Sequence, residues 1–72
     1  MIKQSLGKRI AALRKARKLS QEQFAEKSGY SVEFTSLVER GVNAPSVTGL
    51  ERIAKALRVE IKDLFDFRKA AE

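Results

Sequence analysis

The sequence predicts an all-α fold: one compact five-helix domain containing a helix-turn-helix. Three observations predict it. Apolar residues recur at helical spacing in five short stretches. Serines open three of those stretches and glycines close two of them, as N-caps and C-terminal stops do. No stretch alternates apolar and polar residues with the period of a strand.

Leu6, Ile10 and Leu13 recur along one face, with Lys8, Arg9, Lys15 and Lys18 off it, which predicts a first helix over about residues 5–17. Leu19 falls in a short turn. Ser20 then opens a second helix, about 21–28, its hydroxyl completing a capping box with Gln23. Phe24 and Ala25 face inward, and Gly29 ends the helix in a left-handed conformation. Only Gly29, Tyr30 and Ser31 intervene before a third helix, about 32–40, capped by Ser31 and stopped by Gly41. Two short helices joined by a three-residue turn containing glycine make a helix-turn-helix. Val42-Asn43-Ala44-Pro45 reads as a loop. Ser46 caps a fourth helix, about 46–57, whose stripe is Leu50, Ile53, Ala54 and Leu57. After a break at Arg58-Val59, Ile61, Leu64 and Phe65 predict a final helix over about 60–67, and residues 68–72 are expected to fray. All four glycines read as helix ends, turns or surface positions.

Seventy-two residues make a single domain, 1–72, with an economical core. A hydrophobic content of 43% argues against disorder. With no cysteine there is neither a disulfide nor a thiolate metal site, which fits a reducing cytoplasm. No His and no Cys also removes the commonest general bases, nucleophiles and zinc ligands, and no glycine-rich phosphate cradle is present, so the reading is not an enzyme, with no cofactor and no metal. No apolar run is long enough for a bilayer, and no membrane partner is expected. The charge points elsewhere. Fifteen Lys and Arg face nine Asp and Glu, a net +6, and nucleic acid is the commonest partner of such a surface. The excess is uneven: Lys3, Lys8, Arg9, Arg14, Lys15, Arg17 and Lys18 meet no acid within residues 1–20, whereas residues 21–39 carry four Glu against Lys27 alone.

The runs Leu19-Ser20-Gln21-Glu22-Gln23-Phe24-Ala25, Gly29-Tyr30-Ser31, Val38-Glu39-Arg40-Gly41 and Pro45-Ser46, continued by Leu50, Ile53-Ala54-Lys55-Ala56-Leu57 and Leu64-Phe65, resemble the Xre/Cro/phage-repressor helix-turn-helix family over about residues 6–65. The resemblance implies a lambda-repressor-like domain. It also implies a cytoplasmic transcriptional regulator, bacterial or phage-encoded, that binds double-stranded DNA as a homodimer on a palindromic operator. Restriction–modification controller proteins share this size and plan. RNA polymerase is a further candidate partner. Small-molecule control is not expected. The alternative is an antitoxin-like protein-interaction module that also binds DNA.

In this geometry the third helix enters the major groove by its leading end. Ser31, Val32, Glu33, Phe34, Ser36 and Leu37 are then the candidates for base contact. Val32 or Phe34 suits thymine methyls, Glu33 suits the cytosine amino group, and Ser31 and Ser36 suit a base or a phosphate. The family often places Gln, Arg, Asn or Thr here. This helix has no Lys or Arg before its end, so DNA shape is expected to carry much of the specificity. Glu33 also suits the positive end of a helix dipole, Ser31 suits a plain cap, and Phe34 and Leu37 suit packing. Thr35 and Val38 match inward-facing family positions. Gln21, Arg40 and Asn43 match positions that contact backbone phosphate. The basic face of the first helix is expected to act as a solvated electrostatic support.

Glu39 stands at a helix C-terminus, where the dipole disfavours a carboxylate, so a cation is expected near it. The resemblance implies that this cation is Arg14 and that the pair is structural. The candidates for the dimer surface are Val59, Ile61, Phe65 and Phe67, with Phe67 the most interface-like because it lies beyond the family core pattern. Ile61, Leu64 and Phe65 also suit closure of the monomer core.

Overall fold

A computed structural model describes residues 1–69. The elements are α1 (Ile2–Ala16), α2 (Gln21–Ser28), α3 (Val32–Glu39), α4 (Val47–Leu57), α5 (Ile61–Leu64) and a 3-10 turn at Phe67–Lys69. No strand occurs among the described residues. The all-α reading therefore holds.

Three serine caps set three of the helix starts. Ser20, Ser31 and Ser46 each adopt extended backbone, and each hydroxyl accepts from the amide three residues on. Two elements differ from the sequence expectation. α1 starts at Ile2, three residues before the expected position 5, although no side chain caps it. Its first turn is held from outside: Gln4 lies against Gly41, and the Lys3 ammonium reaches the Val42 carbonyl at 3.5 Å. α5 is a single turn, shorter than the expected 60–67. Asp63 accepts from the Glu60 amide at 2.9 Å and opens it, and Phe65 ends it. The chain then folds back, so Arg68 and Lys69 belong to the 3-10 turn instead of fraying; residues 70–72 of the expected frayed tail lie outside the described residues.

Leu6, Ile10, Phe24, Val38, Ile53, Ala54, Leu57 and Leu64 form the core, drawing on all five helices. Ile10, Phe24, Leu57 and Leu64 are fully buried. Each such side chain contributes about 1.5–3 kcal/mol by leaving water. Two glycines contradict their expected places at ends, turns or the surface. Gly7 and Gly49 are buried inside α1 and α4. A methyl on Gly7 would meet the carbonyls of Val38 and Glu39, and one on Gly49 would meet the Tyr30 hydroxyl. The absent side chains let α1 lie directly on the end of α3, and Tyr30 on the start of α4.

The basic face of α1 is also not simply solvated. Arg9 is 9% exposed, and its Nε donates to the Asp63 carbonyl at 2.7 Å. Arg17 donates from Nε to the Leu57 carbonyl at 2.8 Å and from Nη2 to that of Arg58 at 3.2 Å. From α4, Arg52 donates to the carbonyls of Ser28 and Gly29 at 2.9 and 3.0 Å. These carbonyls lie at or just past helix C-termini, where the helix ladder leaves carbonyls short of donors, and a guanidinium there also complements the negative end of the dipole. Part of the positive excess holds helix to helix.

Candidate nucleic-acid interface

The interface is built outward from the turn between α2 and α3. Ser20 and Gln23 cap α2 reciprocally, at 3.1 and 2.8 Å. Gly29 ends it with φ at 81°, a value glycine adopts without steric penalty. Ser31 then starts α3, its hydroxyl accepting from the Phe34 amide at 3.0 Å. That bond uses a lone pair and leaves the Ser31 O–H free to donate. Thr35 is buried, and its hydroxyl donates back to the Ser31 carbonyl at 2.9 Å.

Tyr30, inside the turn, braces the assembly. Its ring lies 4.6 Å from that of Phe34, the Arg52 guanidinium sits 4.4 Å over its face, and its hydroxyl rests on Gly49. The start of α4 is thereby fixed beside the leading end of α3. At the other end of α3, the start of α2 is fixed. Arg14 and Glu39 form a two-pronged pair at 2.7 and 3.1 Å, with only 11% and 7% of their side chains exposed. Arg14 also donates to the Leu19 carbonyl at 2.8 Å. The Gln21 amide donates to the same Glu39 carboxylate at 2.9 Å, which keeps its second N–H available to an outside acceptor.

The candidate base readers separate accordingly. Ser31, Val32 and Glu33 are exposed at the leading end of α3, Val32 by 36%. Ser36 and Leu37, a turn further on, are half-buried. Phe34 is drawn back onto Tyr30 and packs against the core, so its ring is less available than those of its neighbours in the sequence. Thr35 and Val38 point inward. Of the phosphate candidates, Arg40 and Asn43 are exposed and Gln21 is half-buried. Lys3, which sequence reasoning counted only as charge, stands beside the loop that carries Asn43. Tyr30 and Arg52 also went unnoticed as bracing residues. Their partners lie in another helix, and no local spacing marks them.

The four dimer candidates do not form one exposed patch. Ile61 and Phe65 are each 38% exposed. Val59 and Phe67 are half-buried against the core. Phe67, expected to be the most outward, is turned in by the 3-10 turn and meets Phe65 edge to face at 6.0 Å. Among the described residues, no group of three or more acidic, His or Cys side chains is placed to hold a metal ion, and no helix is long and apolar enough to cross a membrane.

Residues 10–64 match the helix-turn-helix family model HTH_3. The chain belongs to the helix-turn-helix family. The resemblance read from the sequence is thus borne out. Its relatives include the immunity repressor protein of Bacillus phage phi105, 42% identical over 57 residues, which are 79% of this chain and 40% of the repressor. The control protein C.BamHI of Bacillus amyloliquefaciens is 36% identical over 62 residues, covering 85% of this chain and 76% of that protein. Among solved structures, the restriction-modification controller protein C.AhdI of Aeromonas hydrophila superposes with a TM-score of 0.84 at 37% identity, over 86% of this chain and 94% of that one. Against the first curated relatives, this helix-turn-helix chain spans 40–42% of their length.

Proposed function

We propose that this helix-turn-helix chain is a regulator of transcription, repressor or activator, that binds double-stranded DNA as a dimer, placing α3 in the major groove of a palindromic operator. The observation that carries the reading is the leading end of α3. Ser31, Val32 and Glu33 stand exposed on a helix held rigid by Tyr30 at one end and by the Arg14–Glu39 pair at the other. Family membership supports it, and so does the net charge of +6.

In this reading Val32 packs on a thymine methyl and Glu33 accepts from a cytosine amino group, with Ser31, Ser36 and Leu37 around them. Phe34 serves chiefly to hold α3 on Tyr30. No cation precedes Arg40 along α3, so guanine is not read by a guanidinium and groove shape contributes to specificity. Gln21, Arg40 and Asn43 contact phosphate, and the free N–H groups at the start of α2 add to that hold. Ile61 and Phe65 carry the dimer contact, with Val59 and Phe67 behind them. Such a pair of subunits spaces two recognition helices by one helical turn of the duplex. The protein binds and does not catalyse.

Selection of bound DNA from a random pool tests this directly. A two-fold symmetric consensus is expected. Recovery of sequences with no consensus, at the affinity of bulk DNA, would overturn the operator reading.

A further inference from the structure

A second charged feature lies away from Ser31–Glu33. Two adjoining depressions, of about 220 and 280 Å³, share Lys27, Ala56 and Arg58 in their walls. Arg17 and Leu19 complete the first; Arg52 and Lys55 complete the second. Together they form one cleft where the C-terminal ends of α1, α2 and α4 meet. Five of its seven lining residues are cations, and none is an acid.

Like charges gathered this closely repel one another, so the fold needs a reason to keep them. Helix termini explain two of the five: Arg17 and Arg52 are fixed by donating to carbonyls at the ends of α4 and α2. Lys27, Lys55 and Arg58 are exposed, and among the described residues their side chains have no hydrogen-bond or ion-pair partner. Arg58 is conspicuous for a second reason. It ends α4 in left-handed backbone, φ 59°, the position where glycine is the least strained choice. An arginine stands there instead, at the rim of the cleft.

The shape of the cleft selects among anions. Its floor is apolar, made by half-buried Leu19 and Ala56. Its size admits side chains one or two at a time. A duplex presents its phosphates on a broad convex surface, and its thymine methyls lie inside the major groove, out of reach of such a floor. A carboxylate-bearing peptide with an apolar residue among its acids meets both parts. The two anchored guanidinium groups can pair with carboxylates, and the exposed lysines add charge at the rim. We propose that this cleft docks an acidic segment of a partner protein, with an apolar side chain of that segment seated on Leu19 and Ala56. Neither Ser31, Val32 nor Glu33 lines it, so the partner and a duplex on α3 occupy different surfaces.

The test uses the full chain and backbone-amide NMR. The probe is a short capped peptide of glutamates around a central leucine; the controls are the same peptide with glutamines and a mixed-sequence duplex. The glutamate peptide is expected to shift the amides of Leu19, Lys27, Ala56 and Arg58 most, and those of Ser31–Ser36 least. Lys27→Gln with Lys55→Gln is expected to weaken it about tenfold, as loss of two rim charges from a partly desolvated contact does. Both lysines are exposed, so the variant folds, and its unfolding curve verifies that. Equal binding of the glutamine peptide, shifts spread over every basic surface, or no shifts at millimolar peptide would each overturn the proposal. So would cleft shifts caused by the duplex and not by the peptide, which would make the cleft a second nucleic-acid surface.

Discussion

Removing the Glu39 carboxylate, as Glu39→Gln, strands the Arg14 charge. Arg14 keeps its bond to the Leu19 carbonyl but loses a two-pronged partner, in a place where its side chain is 11% exposed. Breaking a fully buried pair from one side costs about 3–5 kcal/mol. The surviving carbonyl bond and the residual exposure lower that here to about 2–3 kcal/mol, since a neutral amide at position 39 can still accept one hydrogen bond from Arg14. In a domain of this size, each kcal/mol moves the melting temperature by about 4–8 °C, so a fall of roughly 10–20 °C is expected. The partner substitution Arg14→Met strands Glu39 at the dipole-disfavoured end of α3, and a loss of similar size follows. The double variant Arg14→Met with Glu39→Gln leaves no charge unpaired and is expected to be far less destabilised than the sum of the single changes. Thermal unfolding of all four proteins, followed by helical circular dichroism, closes the cycle. A Glu39→Gln protein melting within a degree or two of the parent, or strict additivity in the cycle, would refute the reasoning.

Other substitutions probe other joints. Gly7→Ala raises local helix propensity but drives a methyl into the carbonyls of Val38 and Glu39, so a net loss of about 1–3 kcal/mol is expected in urea unfolding; a stabilised variant would show that α1 does not lie so close to α3. Gly49→Ala meets the Tyr30 hydroxyl, so its loss in the same assay should be reduced by adding Tyr30→Phe and left unchanged if the contact is unimportant. Gln21→Ala is expected to weaken binding to all DNA sequences alike and to leave the slope of log affinity against log salt nearly unchanged, because a neutral amide releases no counterion; a change confined to the preferred sequence would argue for base contact instead. Phe65→Lys, at a position 38% exposed, is expected to shift sedimentation at micromolar concentration toward monomer while the melting temperature of dilute protein holds; an unchanged dimer would place the contact elsewhere.

The parts of the fold legible in the sequence are those decided within a few residues. Ser20, Ser31 and Ser46 each bond an amide three positions away, so the starts of α2, α3 and α4 could be read locally. Gly29 ends α2 through its own backbone angle. The start of α1 was not legible, because Ile2–Gln4 is held by Gly41 and Val42 across the fold and by no cap of its own. The same holds for Arg9, Arg17 and Arg52, whose carbonyl partners lie 54, 40 and 24 positions away. In sequence they look like ordinary surface charge. Gly7 and Gly49 misled for a related reason: a glycine that permits close approach resembles one that permits a turn until its neighbour is known. At the candidate site, the exposure of Val32 and Glu33 follows from helical phase, whereas the retreat of Phe34 depends on Tyr30.

The chain contains no cysteine, so Val32→Cys places a unique thiol on the leading turn of α3, and Glu51→Cys places one on an exposed position of α4. Alkylation rates of the two thiols, measured with and without saturating DNA of the selected sequence, report which surface the duplex covers. Strong protection at position 32 with an unchanged rate at position 51 is expected. A thiol at position 32 that reacts as fast in the complex as in free protein would contradict entry of α3 into the groove.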